Sequence, residues 1–186
     1  MKLHLKIDDM SKKLQTPSQT VGPFFAYGLT PGQYGYEYDS WVDGDMVHDL
    51  NESDIITLSG RIFDGEGIVI PDAMVELWLN DGINKRFGRF GTGTDPENRF
   101  IFRLPKPKSV EGQAPFVSVI LFMRGQLIHS FTRIYFSDES PLNEVDEVLL
   151  TVPEHRRKTL IAEKKEGVYE FNMYMQGPNE TVFFEV

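Results

Sequence analysis

Short runs of β-branched and aromatic residues, each stopped by Gly, Pro or Asp, follow one another from position 55 to the end of this chain. Punctuation that dense leaves no room for long helices and favours many short strands. Ile55–Phe63 ends at Asp64-Gly65-Glu66-Gly67, and Ala73–Leu79 ends at Asn80-Asp81-Gly82, where Asp-Gly tolerates a positive φ. Phe100–Arg103 stops before Pro105 and Pro107. Phe116–Met123 and Leu127–Tyr135 read as a hairpin around Arg124-Gly125, and Leu160–Glu163 with Val168–Met175 as a second around Lys165-Glu166-Gly167. Thr181–Val186 reads as a last strand. Helix is confined to two excursions. Ser140-Pro141 opens Leu142–Leu150 with an N-cap Ser and a Pro in the first turn. Thr151-Val152-Pro153-Glu154 fits a capping box that opens a turn through Arg157. The pattern predicts an all-β domain, a β-sandwich with a long N-terminal arm and short helical excursions. Residues 1–54 form the arm and loops, which pack on the sandwich or on a partner, since Phe24, Phe25, Tyr27 and Tyr34 need a surface to cover them. Residues 55–186 form the sandwich.

Composition narrows the function. The 186 residues suit one domain with a real core, and 40% hydrophobic with 25% charged residues is ordinary globular usage. A net charge of −9 opposes a nucleic-acid partner, which needs clustered Lys and Arg. With no Cys there is no disulfide framework, thiolate metal site or thiol nucleophile. No apolar run approaches the roughly 18 residues of a membrane span, and the first eleven residues lack the apolar core of a signal peptide, so the expectation is a cytoplasmic protein without a membrane partner.

Four segments carry a resemblance. They are Thr16-Pro17-Ser18-Gln19-Thr20-Val21-Gly22-Pro23-Phe24; Leu58–Gly67 continuing through Asp72–Trp78; the hairpin from Ala114 through Arg124-Gly125 to Thr132-Arg133-Ile134-Tyr135-Phe136; and Arg156–Ala162 with Gln176–Val186. Together they resemble the α subunits of the protocatechuate 3,4-dioxygenases, within the intradiol ring-cleaving family, over nearly the whole chain from Thr16. The second segment marks the wider family, and the other three point to this subunit. The resemblance implies a β-sandwich that pairs with a catalytic β subunit in a higher-order hetero-oligomer. It implies that the partner holds a non-haem Fe3+ through two Tyr and two His, and opens the protocatechuate ring with O2 to give 3-carboxymuconate. It implies further that Thr20, Gly22 and Pro23 line the partner's substrate pocket. Gly and Pro let backbone approach a ligand closely, and Thr20 offers a hydroxyl. Phe24 stands where the family often has Tyr, so a hydrogen bond from that phenol is lost. Arg124 and Arg133 also match, and a guanidinium meets an aromatic carboxylate by charge-assisted hydrogen bonds. Arg124 reads equally as a hairpin-tip residue in solvent, and Arg133 as half of a structural ion pair.

The resemblance also exposes what is missing. In the family the Ala114-Pro115-Phe116-Val117-Ser118 strand carries two His one residue apart, here Phe116 and Ser118. The four His, at 4, 48, 129 and 155, form no close pair, and no Tyr occurs between Tyr38 and Tyr135. Asn80–Phe90 is short where the first iron Tyr would fall. Imidazole and phenolate suit ferric iron only when several converge, so no metal and no catalytic residue is expected in this chain itself. Trp78 and Glu76 share a strand face by the two-residue period, with packing as their role. The acids Asp39, Asp43, Asp45, Asp49, Glu52 and Asp54 lack EF-hand spacing and read as a solvated loop. Two alternatives belong to other classes: a stand-alone, non-catalytic β-sandwich binding module, and a self-sufficient dioxygenase with an unusual ligand set.

Overall fold

The computed structural model describes Gly22 and residues 25–47, 54–83 and 85–185. The runs marked in the sequence become β1 (Ile55–Gly60), β2 (Ile62–Phe63), β3 (Met74–Asn80), β4 (Lys85–Gly91), β5 (Phe100–Pro105), β6 (Phe116–Phe122), β7 (Ser130–Phe136), β8 (Ile161–Lys165), β9 (Val168–Glu170) and β10 (Met173–Tyr174). Arg61 separates β1 from β2 because its backbone N–H donates to the Asn172 side chain, 2.9 Å away, instead of to a ladder. Eight strands form one mixed sheet in the order β4-β3-β6-β7-β8-β9-β1-β5, and β10 pairs with β2 apart from it. The ladders are antiparallel except β7–β8 and β1–β9.

The sheet curls until its two halves face each other. Val75, Leu77 and Leu79 of β3, Val117, Val119 and Leu121 of β6, and Ile134 and Phe136 of β7 point inward. They meet Leu58 of β1, Phe100, Phe102 and Leu104 of β5, and Tyr169 of β9 in one dry core. Each such side chain contributes about 1.5–3 kcal/mol by leaving water. The period-2 alternation then forces Met74, Glu76, Trp78, Phe116, Ser118, Ile120, Phe122, Phe131, Arg133 and Tyr135 onto the outer face.

The curled sheet ends in two edges, β4 and β5, and the N-terminal stretch stitches them together. Arg89 N–H donates to Asp43 O (2.9 Å), Arg103 N–H to Gly44 O (2.8 Å), and Met46 N–H to Arg103 O (2.7 Å). A Cβ on Gly44 would collide with the Ile101 carbonyl, and one on Gly88 would meet Met46 Cγ at 2.7 Å and Asp43 O at 3.0 Å. Two glycines are therefore fixed by the seam. Edge strands left open invite pairing with other chains, and this one is closed from within.

Several details differ from the sequence reading. β4 was not marked, because its glycines and basic residues look like a loop. β7 starts at Ser130, and Leu127 and Ile128 lie exposed at the hairpin tip. The Leu142–Leu150 helix breaks into α2 (Ser140–Asn143) and α3 (Glu147–Thr151), since Asp146 caps α3 by accepting from the N–H groups of Val148 and Leu149. Glu139, not Ser140, is the residue before α2. Thr151 donates its hydroxyl back to Val148 O (2.7 Å), so it does not cap α4 (Glu154–Arg157), which follows Pro153 without a side-chain cap. The final segment makes only an isolated bridge, Phe184 to Phe131.

A polar latch closes one flank. Tyr169 Oη donates to Asp138 Oδ2 (2.5 Å), and Lys106 Nζ donates to Asp138 Oδ1 (2.7 Å) while lying 4.3 Å from the centre of the Phe136 ring. Burial alone would raise the Asp138 pKa. The hydrogen bonds from Lys106 and Tyr169 outweigh it and bring the pKa down to about 2. A carboxylate with a depressed folded pKa stabilises above its unfolded value, 3.8, and loses that contribution as pH falls toward 2. Asp138→Asn is therefore expected to lower the thermal midpoint at pH 5, with the gap to wild type closing between pH 4 and pH 2. A gap that stays constant across that range would count against the latch.

Candidate functional site

The outer face of β4-β3-β6-β7 is covered at both ends and open in the middle. At one end α1 (Phe25–Leu29) lies over it, the Phe25 ring 5.4 Å from Phe122. Tyr34 anchors this stretch near Gly91 and Gly93, and Gln33 Oε1 accepts from Gly91 N–H at 2.9 Å. At the other end a second cluster, Ala114, Tyr135, Leu149, Val152 and Leu160, packs beneath α3 and α4. Asp146 organises it while wholly buried. Its Oδ1 accepts from Tyr135 Oη (3.1 Å), Val148 N (2.9 Å) and Leu149 N (2.8 Å), and its Oδ2 accepts from Ala114 N (2.8 Å).

Between these covers run two rows of side chains. The register places Phe87, Trp78, Ser118 and Arg133 side by side across four strands. The next row holds Arg89, Glu76, Ile120 and Phe131. Glu76 is buried and held by two hydrogen bonds from Arg89, Nε at 2.9 Å and Nη2 at 2.6 Å. That pair neutralises the acid and confirms a packing role for Glu76. Trp78 stacks obliquely on Phe87 at 4.3 Å and keeps 47% of its surface exposed.

The residues proposed from the sequence fall into two places. Thr20 and Pro23 lie outside the described residues. Gly22 O accepts from Phe25 N–H at 3.1 Å, which ties it to the turn that packs on Phe122, two residues before Arg124. Gly22 and Arg124 thus belong to one corner of the face. Arg124 Nε sits 2.6 Å from Asp72 Oδ2, yet neither Asp72 oxygen accepts an aligned hydrogen bond, and the Arg124 side chain is 59% exposed. The guanidinium is held by charge alone and is free to turn outward. Arg133 lies elsewhere. It is opposite Ser118, about 13 Å along β6 from Phe122, a span of four residues at roughly 3.3 Å each. The structure does not bring Arg124 and Arg133 to one small ligand.

The strand positions that matter for iron are now visible. Phe116 and Ser118 both face outward, as two ligands one residue apart would, but a phenyl ring and a hydroxyl stand there. The Arg133 guanidinium lies 4.2 Å over the Phe116 ring, a positive charge where a cation would have to sit. The Tyr135 phenol, opposite Phe116, is no phenolate donor: burial pushes its pKa up to about 12, despite a lowering contact from Arg133, and its hydroxyl points at Asp146. Among the described residues no three of His, Asp and Glu converge on one point. The donors of this face do not fit a ferric ion.

Comparison with known proteins agrees with this frame. The chain is 43% identical to the protocatechuate 3,4-dioxygenase alpha chain of Burkholderia cepacia, over 95% of this chain and 100% of that one. The chain belongs to the protocatechuate 3,4-dioxygenase alpha-chain family. The alpha chain of Pseudomonas putida is 32% identical over 92% of this chain and 96% of its own length. Among solved structures, the dioxygenase domain from Streptomyces sp. SirexAA-E superposes with a TM-score of 0.55 at 20% identity, covering 86% of this chain and 95% of that one. An intradiol ring-cleavage dioxygenase from Tetranychus urticae gives 0.54 at 15% identity, covering 77% and 89%. At those identities the structures speak for the fold, which is the intradiol dioxygenase β-fold. No family model matches the chain. No helix among the described residues is long and apolar enough to cross a membrane.

Proposed function

We propose that this chain is the iron-free subunit of a protocatechuate 3,4-dioxygenase, holding an iron-bearing β subunit and completing that subunit's substrate pocket. The observation that carries the reading is the outer face of β6, where Phe116 and Ser118 stand under a guanidinium in place of metal donors. In this reading the Fe3+ belongs to the partner, which supplies the O2 chemistry of intradiol cleavage. The present chain supplies shape and charge at the corner built by Gly22 and Arg124, with Thr20 and Pro23 next to Gly22 in sequence. Backbone without bulk at Gly22 admits a ring, and Arg124 offers charge-assisted hydrogen bonds to its carboxylate.

The surface supports a large cytoplasmic partner. Trp41 is 99% exposed and Tyr38 75% exposed, beside a hollow of about 390 Å³ that reaches Arg89. Aromatic residues left bare in this way are the type that becomes buried in protein interfaces. The isolated chain is therefore expected to self-associate or to be poorly soluble.

Oxygen uptake with protocatechuate and iron content test the reading, measured on the chain alone and on the chain co-purified with an iron-bearing β subunit. Iron and uptake are expected only in the complex. Stoichiometric iron or turnover in the chain alone would overturn the proposal.

A further inference from the structure

The row Phe87–Trp78–Ser118–Arg133 has a gap in it. Ser118 is the one small side chain, flanked on the neighbouring strands by Trp78 and Arg133 and along its own strand by Phe116 and Ile120. The strands carrying Trp78 and Arg133 are two ladder spacings apart, roughly 9.5 Å, so the missing bulk at Ser118 leaves a slot about one aromatic ring wide. Its floor is a hydroxyl that makes no hydrogen bond among the described residues. One wall is the exposed indole of Trp78.

The other wall is a charge in search of a partner. Arg133 is half-buried, and no carboxylate among the described residues lies within ion-pair reach of it. Its one polar contact is long, Nη1 to Tyr135 Oη at 3.4 Å, and the Phe116 ring covers one face of the guanidinium. Acids do stand nearby, but each is already engaged. Glu76, in the next row, is held by Arg89, and Asp146 is buried behind Tyr135 with four donors. A half-buried cation without a counter-ion is costly, in a chain whose net charge is −9. A planar carboxylate would satisfy the planar guanidinium fork, and an aromatic body behind it would fill the slot.

We infer that this face is a second, non-catalytic site for an aromatic carboxylate, with Arg133 taking the carboxylate and Trp78 stacking on the ring over Ser118. The site lies wholly within this chain, apart from the Gly22–Arg124 corner. It therefore goes beyond the subunit reading and does not depend on an iron-bearing partner.

The test uses the full chain without any partner. Trp41→Phe removes the other tryptophan, which is exposed and outside the slot, so that fluorescence reports Trp78 alone. Benzoate and protocatechuate are expected to quench it saturably at or below about 1 mM, and catechol, which lacks the carboxylate, at least tenfold more weakly. Arg133→Gln should weaken both acids tenfold or more. Ser118→Leu, which fills the slot and leaves the charge, should abolish the quench, and circular dichroism would verify that each variant is folded. Absence of saturable binding to the parent would overturn the site, and so would binding that survives both substitutions. Equal affinity for catechol would remove Arg133 from it. None of these outcomes bears on whether iron and turnover appear in the co-purified complex.

Discussion

Asp146→Ala is expected to destabilise the chain by about 3–5 kcal/mol, the upper range for a single substitution. Four donors converge on this carboxylate, and alanine leaves the Tyr135 hydroxyl and the N–H groups of Ala114, Val148 and Leu149 without it. Hydrogen bonds to a charged group contribute about 1.5–3 kcal/mol each, and a stranded buried donor carries its own desolvation penalty. The effect is not four times the single value, because α3 can fray and let water in. For a chain of this size the thermal midpoint should fall by roughly 6–20 °C. Asp146→Asn separates charge from shape. Its oxygen can keep the three donors on Oδ1, but its amide group then faces the Ala114 N–H, donor against donor, and a flip merely exchanges the problem. A loss of about 1–3 kcal/mol is expected. Urea unfolding of both variants checks the order, and an alanine variant within 1 kcal/mol of wild type would show that Asp146 does not organise the cluster.

The second large effect concerns activity. In the co-purified complex, Arg124→Ala is expected to lower kcat/KM for protocatechuate by roughly 10–100-fold, the worth of a charge-assisted hydrogen bond. The carboxylate is remote from the bonds that change, so the guanidinium grips ground state and transition state alike. The loss should therefore appear mainly in KM. Iron content should not change, because Arg124 lies at the corner near Gly22 and is held only by Asp72. Arg124→Lys should recover part of the loss, since an ammonium keeps the charge but not the bidentate fork. Unchanged KM would remove Arg124 from the substrate pocket. Lost iron would mean that it acts on assembly instead.

The strands that were legible in the sequence are those whose own residues carry the signal. The alternation in β3 and the long apolar run of β6 with its return in β7 need no knowledge of the rest of the chain. β4 was not legible because its reason lies elsewhere. Gly88 is small to clear Met46 and Asp43, some forty residues earlier, so a tertiary contact wrote what looks like loop composition. The helical region was half legible: Pro141 marked its start, but nothing local says that Asp146 must turn inward to collect Ala114 and Tyr135. At the site, the absence of paired His at Phe116 and Ser118 could be read directly. The separation of Arg124 from Arg133 could not, since nine positions in sequence become opposite ends of a hairpin. Ser118 as a gap, and Arg89 as the partner of Glu76, required the register between strands.

The stitching of β4 to β5 by Asp43, Gly44 and Met46 has a consequence for how a damaged subunit behaves. The same N-terminal stretch that leads to Gly22 also zips the sheet shut. A protease that clips the chain ahead of residue 47 would remove the pocket corner and unzip two strand edges in one event. The remnant could not persist as a quiet decoy that occupies partner subunits without serving them. It would bare sticky edges and be cleared or aggregate, so that only chains with an intact arm remain to assemble.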